Sequence, residues 1–121
     1  MTKTILTIDD SRTMRDMLKF ALDEAGYTVV QAEDGLAGLE ALEAHAPDVV
    51  ITDINMPRLD GFGVIERVRA NPKHRGLPVL VLTTESAPEK KARAREAGAT
   101  GWIVKPFDPG KLVDVVRRVT G

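Results

Sequence analysis

Hydrophobic positions along the chain fall into two alternating patterns. Short, continuously apolar runs recur at Ile5-Leu6-Thr7-Ile8, Val49-Val50-Ile51-Thr52, Val79-Leu80-Val81-Leu82 and Trp102-Ile103-Val104. A fifth run, Thr28-Val29-Val30-Gln31-Ala32, reads as the second strand. Their length and β-branched content predict strands, the third over Asp48 to Thr52, the fourth over Val79 to Thr83 and the fifth over Gly101 to Val104. Between the runs the spacing changes to that of helices. Met14, Met17, Leu18, Ala21, Leu22 and Ala25 mark a first helix, with Ser11 as its cap and Gly26 as its stop. The segment from Gly35 to His45 predicts a second, with Leu36, Leu39 and Leu42 facing inward and Pro47 ending it. A third runs from about Phe62 to Ala70, before Asn71-Pro72. Pro88 opens a fourth that Gly98 closes, alanine-rich and thin in apolar surface. A fifth runs from about Pro109 to Val119 on Leu112, Val115, Val116 and Val119.

Strands that are apolar on both sides require cover on both faces, so strictly alternating strands and helices predict a doubly wound α/β sandwich of five parallel strands. In such a sheet every strand ends at the same edge, and ligands bind there. The residues at those ends are Asp9-Asp10, Asp53, Thr83 and Lys105. Any one of them is unremarkable: an acidic pair suits a helix N-terminus, and a loop aspartate, a strand threonine or a surface lysine is common. Together they bring three carboxylates, a hydroxyl and an ammonium to one place. Carboxylates so crowded repel one another unless a cation sits among them, and an oxygen-only set suits a hard ion such as Mg2+. The chemistry that fits is phosphoryl transfer to a carboxylate. Asp53, on the central strand, is the expected nucleophile, while Asp9 and Asp10 bind the ion, one directly and one through water. The backbone carbonyl of Asn55 offers a further oxygen. Lys105 and Thr83 are placed to contact phosphoryl oxygens. The Lys105-Pro106 bond is a candidate cis peptide, although most X-Pro bonds are trans.

Composition narrows the classes. The chain has 121 residues, 43% hydrophobic and 29% charged, with a formal net charge of −1. It predicts one domain, residues 1–121, able to bury its own core. Near-neutral charge offers no bulk attraction to nucleic acid or an anionic membrane. No apolar stretch approaches the ~20 residues of a membrane span. Cysteine is absent, which removes disulfides and thiol chemistry and agrees with a cytoplasmic setting. The chain enters a strand-like run at once, without a signal-peptide core.

The blocks Ile8-Asp9-Asp10-Ser11-Arg12, Thr52-Asp53-Ile54-Asn55-Met56-Pro57 with Asp60-Gly61, Leu82-Thr83-Thr84, and Ala97-Gly98-Ala99 through Trp102-Ile103-Val104-Lys105-Pro106-Phe107 carry a resemblance over nearly the whole chain. In order and spacing they resemble the signature blocks of bacterial two-component response-regulator receiver domains, particularly the stand-alone, CheY-like chemotaxis type. That resemblance implies a flavodoxin-like sheet of order 2-1-3-4-5 with five helices, and no effector domain. It implies that Asp53 is phosphorylated by a CheA-like histidine kinase, with Mg2+ (or Mn2+ in its place) on Asp9, Asp10, Asp53 and the Asn55 carbonyl. Thr83 would move toward the phosphoryl group, and Trp102 stands where the family carries a smaller ring that turns inward behind it. Asn55 and Glu85 would tune the attack of water, giving a short-lived phosphoryl state. Partners such as a flagellar motor switch protein, another kinase or a phosphatase would dock on helix four, strand five and helix five, where Lys90, Lys91, Arg93 and Trp102 lie. The expected protein is a monomeric switch, not a turnover enzyme.

Other readings predict different residues. A single-domain phosphorelay intermediate or phosphate sink would use the same pocket. A flavodoxin-like cofactor carrier needs a phosphate-cradling loop where Asp9-Asp10 stand. A phosphatase with an aspartyl intermediate needs its nucleophile after the first strand and a cap over its substrate. His45 and His74 are expected at the surface without a catalytic partner.

Overall fold

The computed structural model describes residues 2–120. Five strands, β1 (Thr4–Ile8), β2 (Thr28–Ala32), β3 (Val49–Thr52), β4 (Val79–Thr83) and β5 (Gly101–Val104), alternate with five helices, α1 (Arg12–Glu24), α2 (Gly35–His45), α3 (Gly61–Ala70), α4 (Pro88–Ala97) and α5 (Pro109–Thr120). All pairings are parallel and the strand order is β2-β1-β3-β4-β5, the flavodoxin-like arrangement expected. A short 3-10 turn, Pro72–His74, precedes β4. No described helix is long and apolar enough to cross a membrane.

The three inner strands are buried along their length because the sheet is covered on both sides. One core layer joins Leu6, Ile8, Val50, Val79 and Val81 to Ile54 and to Phe62, Ile65 and Val68 of α3. The other joins Ile5, Val49, Ile51, Leu80 and Leu82 to Leu18 and Leu22 of α1 and to Leu112 and Val116 of α5. Alternate residues of each strand thus feed opposite layers, as the two-residue strand period requires.

Helix boundaries follow local chemistry. Ser11, Asp34 and Asp60 cap α1, α2 and α3 by accepting from the amides of Met14, Ala37 and Gly63. Helix α4 has no side-chain cap; Pro88 opens it and Gly98, at φ 113, closes it. The Lys105–Pro106 peptide is cis.

One inward placement needs correction. Leu36 lies at the surface, and on α1 Met17, at 48% exposure, and Phe20, at 70%, also face outward. The buried face of α2 is instead Gly35, Gly38 and Leu42. Spacing identified the helix, but close approach chose the face. A methyl group at Gly35 would stand 2.2 Å from the Leu59 carbonyl oxygen and 2.7 Å from its Cβ. Only glycine lets α2 press against the loop after β3.

This contact generates a prediction. Gly35→Ala raises helix propensity yet should lower stability by about 1–3 kcal/mol, because backbone must retreat from the new methyl. Urea unfolding measures it; a variant as stable as its parent would contradict the packing described.

Candidate functional site

The register of the sheet builds the site. Ile8 pairs with Thr52, so Asp9 and Asp53 leave adjacent strands at the same level. The ladder continues past the strands: the Asp53 amide donates to the Ile8 carbonyl at 3.0 Å and the Asp9 amide to the Ala32 carbonyl at 3.1 Å. On the other side Thr83 pairs with Val104, and the Lys105 amide donates to the Thr83 carbonyl at 2.8 Å. Residues 96 positions apart in the chain, Asp9 and Lys105, are thereby brought into contact.

The Lys105 ammonium lies between two carboxylates, donating to Asp9 Oδ2 at 2.8 Å and Asp53 Oδ2 at 3.0 Å. Each remaining oxygen takes a backbone amide, Ser11 on Asp9 Oδ1 at 2.9 Å and Ile54 on Asp53 Oδ1 at 2.6 Å. Asp9 and Asp53 are nearly buried, at 1% and 8% exposure, whereas Asp10 faces solvent. Carboxylate oxygens of all three lie within 4.8 Å of one another. Burial alone would lower the Lys105 pKa. The hydrogen bonds and charges of Asp9 and Asp53 outweigh it, and the net effect raises the pKa, so the group stays an ammonium.

Three carboxylates and one ammonium leave two negative charges uncompensated, which suits a divalent cation. The donor set is oxygen only, and the Asn55 carbonyl, at the exposed start of the next loop, accepts no hydrogen bond among the described residues. These groups fit Mg2+.

The remaining predicted residues lie around this cluster. Thr83 is fully buried, and its hydroxyl accepts from the Glu85 amide at 3.3 Å. The Glu85 carboxylate pairs with Lys90 at 3.1 Å, and that partner, with the Ala87 amide, holds its pKa below the usual carboxylate range. Trp102 is partly buried against the α3-side core, and its indole N–H has no partner among the described residues. Arg93 stacks over the Phe62 ring at 4.0 Å. Lys91 is exposed. Lys90 and Arg93 therefore brace α4 as well as facing solvent.

Several contributors escaped sequence reasoning. Arg15 donates to the Asp9 carbonyl at 2.6 Å. Arg58 forms a two-pronged ion pair with Asp34, whose carboxylate also caps α2. His74, expected at the surface without a catalytic partner, is instead largely covered, its side chain 14% exposed and 3.2 Å from Glu43, bridging α2 to the 3-10 turn away from the cluster.

A doubly wound five-strand sheet carrying an acidic cluster, a threonine and a lysine at its carboxyl edge fits a signalling receiver domain. The family model for the response regulator receiver domain matches residues 5–117, and the chain belongs to that family. It is similar to chemotaxis protein CheY1 of Helicobacter pylori J99, 39% identical over 119 residues that cover 97% of this chain and 96% of that protein. The crystal structure of chemotaxis protein CheY4 of Vibrio cholerae superposes with a TM-score of 0.93 at 41% identity, covering 98% of this chain and 99% of that one. The solution structure of a response regulator from Burkholderia multivorans shares 50% identity with a TM-score of 0.82, covering 100% and 97%. Membership places the protein in two-component signalling.

Removing the ammonium tests the electrostatics. In divalent-free buffer at neutral pH, Lys105→Met should lower stability by about 3 kcal/mol, because two nearly buried carboxylates lose their counter-charge. Adding Asp53→Asn should recover part of that loss. Urea unfolding of the single and double variants reads both effects, and a single variant matching its parent would refute the account.

Proposed function

We propose that the protein is a phospho-accepting switch in which Asp53 takes a phosphoryl group from a phosphohistidine kinase and the altered α4-β5-α5 face changes its affinity for a downstream partner, within chemotaxis signalling. The observation that carries the reading is the Lys105 bridge between Asp9 and Asp53, with Asp10 beside it. Similarity to chemotaxis proteins over nearly the full length of both chains supports the setting.

Asp53 presents its carboxylate at the end of the central strand, and a carboxylate oxygen attacks phosphorus while the donor's bond to phosphorus breaks. Lys105 then exchanges its hold on Asp53 for a phosphoryl oxygen, keeping its contact with Asp9. Mg2+, or Mn2+ in its place, held by Asp9, Asp10, Asp53 and the Asn55 carbonyl, would offset the charge that builds on the transferring group. The Thr83 hydroxyl turns from the Glu85 amide to another phosphoryl oxygen, which loosens the turn leading into α4. Helix α4 is suited to respond. Only Ala94 of it is buried, and its anchors are the Glu85–Lys90 pair and the Arg93–Phe62 stack. Trp102, packed beside it on β5, follows the threonine. Asn55 and Glu85 flank the approach of water, so the phosphoryl group is short-lived. The domain promotes its own phosphorylation and dephosphorylation without turning over a separate substrate.

Phosphorylation supplies charge and acceptor oxygens that only the switched arrangement satisfies. Partner affinity changes only as far as the two arrangements bind that partner differently.

Acetyl phosphate with Mg2+ should place a single phosphoryl group on the parent protein, seen by mass spectrometry, and none on Asp53→Asn. Undiminished labelling of that variant would overturn the assignment. Millimolar Mg2+ should also raise the parent's melting temperature by mass action; an unmoved transition would count against the metal role.

A further inference from the structure

We propose that the Asp34–Arg58 ion pair is a positioning clamp: it fixes the loop between β3 and α3 that carries Asn55, and thereby sets how tightly the protein holds a divalent cation. The inference deepens the receiver reading and rests on it.

Arg58 lies three residues beyond Asn55 with its backbone in the left-handed region, at φ 69. For a side chain other than glycine that conformation is unfavourable and persists only where surrounding contacts enforce it. The enforcing contact is a fork. Arg58 Nε donates to Asp34 Oδ2 at 2.9 Å, and a terminal guanidinium nitrogen donates to Asp34 Oδ1 at 2.9 Å. Asp34 is itself immobile, because it is 5% exposed and Oδ1 also caps α2 through the Ala37 amide at 2.9 Å. That amide chiefly, assisted by Arg58, keeps its carboxyl below the usual range against the opposing effect of burial.

The loop is otherwise fastened at its ends and by Met56, which packs partly buried against the α3-side core. The Gly61 amide donates to the Ile54 carbonyl at 2.9 Å, and Gly35 of α2 presses on Leu59. Between those points residues 55–58 are mostly exposed. Among the described residues, Arg58 is the member of that stretch whose side chain hydrogen-bonds to another element. Its side chain is 56% exposed, so the pair contributes little to global stability. A two-pronged contact instead contributes orientation, which a lysine's point charge does not supply. Orientation matters here because the Asn55 carbonyl belongs to the loop backbone itself, so its direction follows the course of the chain between Met56 and Arg58.

Charge and geometry predict opposite signs, which makes the test decisive. Removing a cation from the vicinity of an acidic cluster should tighten cation binding if electrostatics alone operated. Loss of a clamp should weaken it. Arg58→Gly removes the fork while supplying the residue that accepts positive φ most readily, so folding is preserved. Titration calorimetry of the unphosphorylated proteins with Mg2+ should give a dissociation constant raised roughly tenfold in Arg58→Gly, the scale seen when contacts that hold metal ligands in place are lost. The apo melting temperature should stay level or rise. Arg58→Lys should bind Mg2+ as weakly as Arg58→Gly, and adding Asp34→Asn to Arg58→Gly should weaken binding no further. Arg58→Gly binding Mg2+ as tightly as its parent, or more tightly, would overturn the clamp and leave the receiver reading standing. A parent protein that binds no Mg2+ would overturn the metal site itself, and the clamp with it.

Discussion

Everything distinctive about this molecule depends on holding like charges together in a place partly shielded from water. Asp9 and Asp53 are close, nearly buried and both ionisable, and left alone they would push β1 and β3 apart. Two features oppose that. The parallel ladder fixes the level at which each strand ends, so repulsion must work against the whole sheet rather than against two loose loops. The Lys105 ammonium, delivered from β5 at the far edge, neutralises part of the charge at hydrogen-bond distance. The cluster is therefore stable enough to persist and electrostatically unsatisfied enough to suit the cation and the phosphoryl group proposed for it.

Much of this was readable in the chain because the fold rests on simple periodicities. Continuous apolar runs marked four of the five strands, and each of those runs stopped at a residue of the pocket. Helix α2 spans the predicted Gly35 to His45. The acidic residues were legible because a parallel sheet converts position at a strand end into proximity, with no need to know side-chain geometry. What could not be read was set by tertiary contact. Leu36 fits the helical stripe as well as Leu42 does, yet glycines decide which face of α2 approaches the sheet. Arg58 and Asp34 are 24 positions apart on different loops, and no local pattern links them. Arg69 is a further case. Burial lowers the pKa of its guanidinium, which nevertheless donates to the carbonyls of His74, Arg75, Leu77 and Gly98, tying the end of α3 to the approach of β4 and the turn before β5. In the sequence it is one more basic residue near a helix terminus.

The distribution of anchoring across the molecule is uneven, and that unevenness suits a switch. Helices α1, α3 and α5 each bury at least two large side chains, so moving them would open the core. Helix α4 commits a single alanine to the interior and lacks a side-chain cap. Its attachments are polar or stacking contacts made at its rim. Such contacts exchange for others at small net change in free energy, whereas buried apolar surface does not. The least anchored helix directly follows the strand that ends in Thr83, so a change at the pocket reaches it through one short turn.

Trp102 gives this arrangement a further use. It is the only tryptophan in the chain, it sits on β5 against the layer that includes Ala94 and Ala97 of α4, and its shielded indole N–H has no hydrogen-bond acceptor among the described residues. Indole emission responds to polarity and to nearby charge. The protein thus contains an intrinsic optical reporter at the seam between its firm sheet and its most weakly held helix, readable in dilute solution with no dye attached.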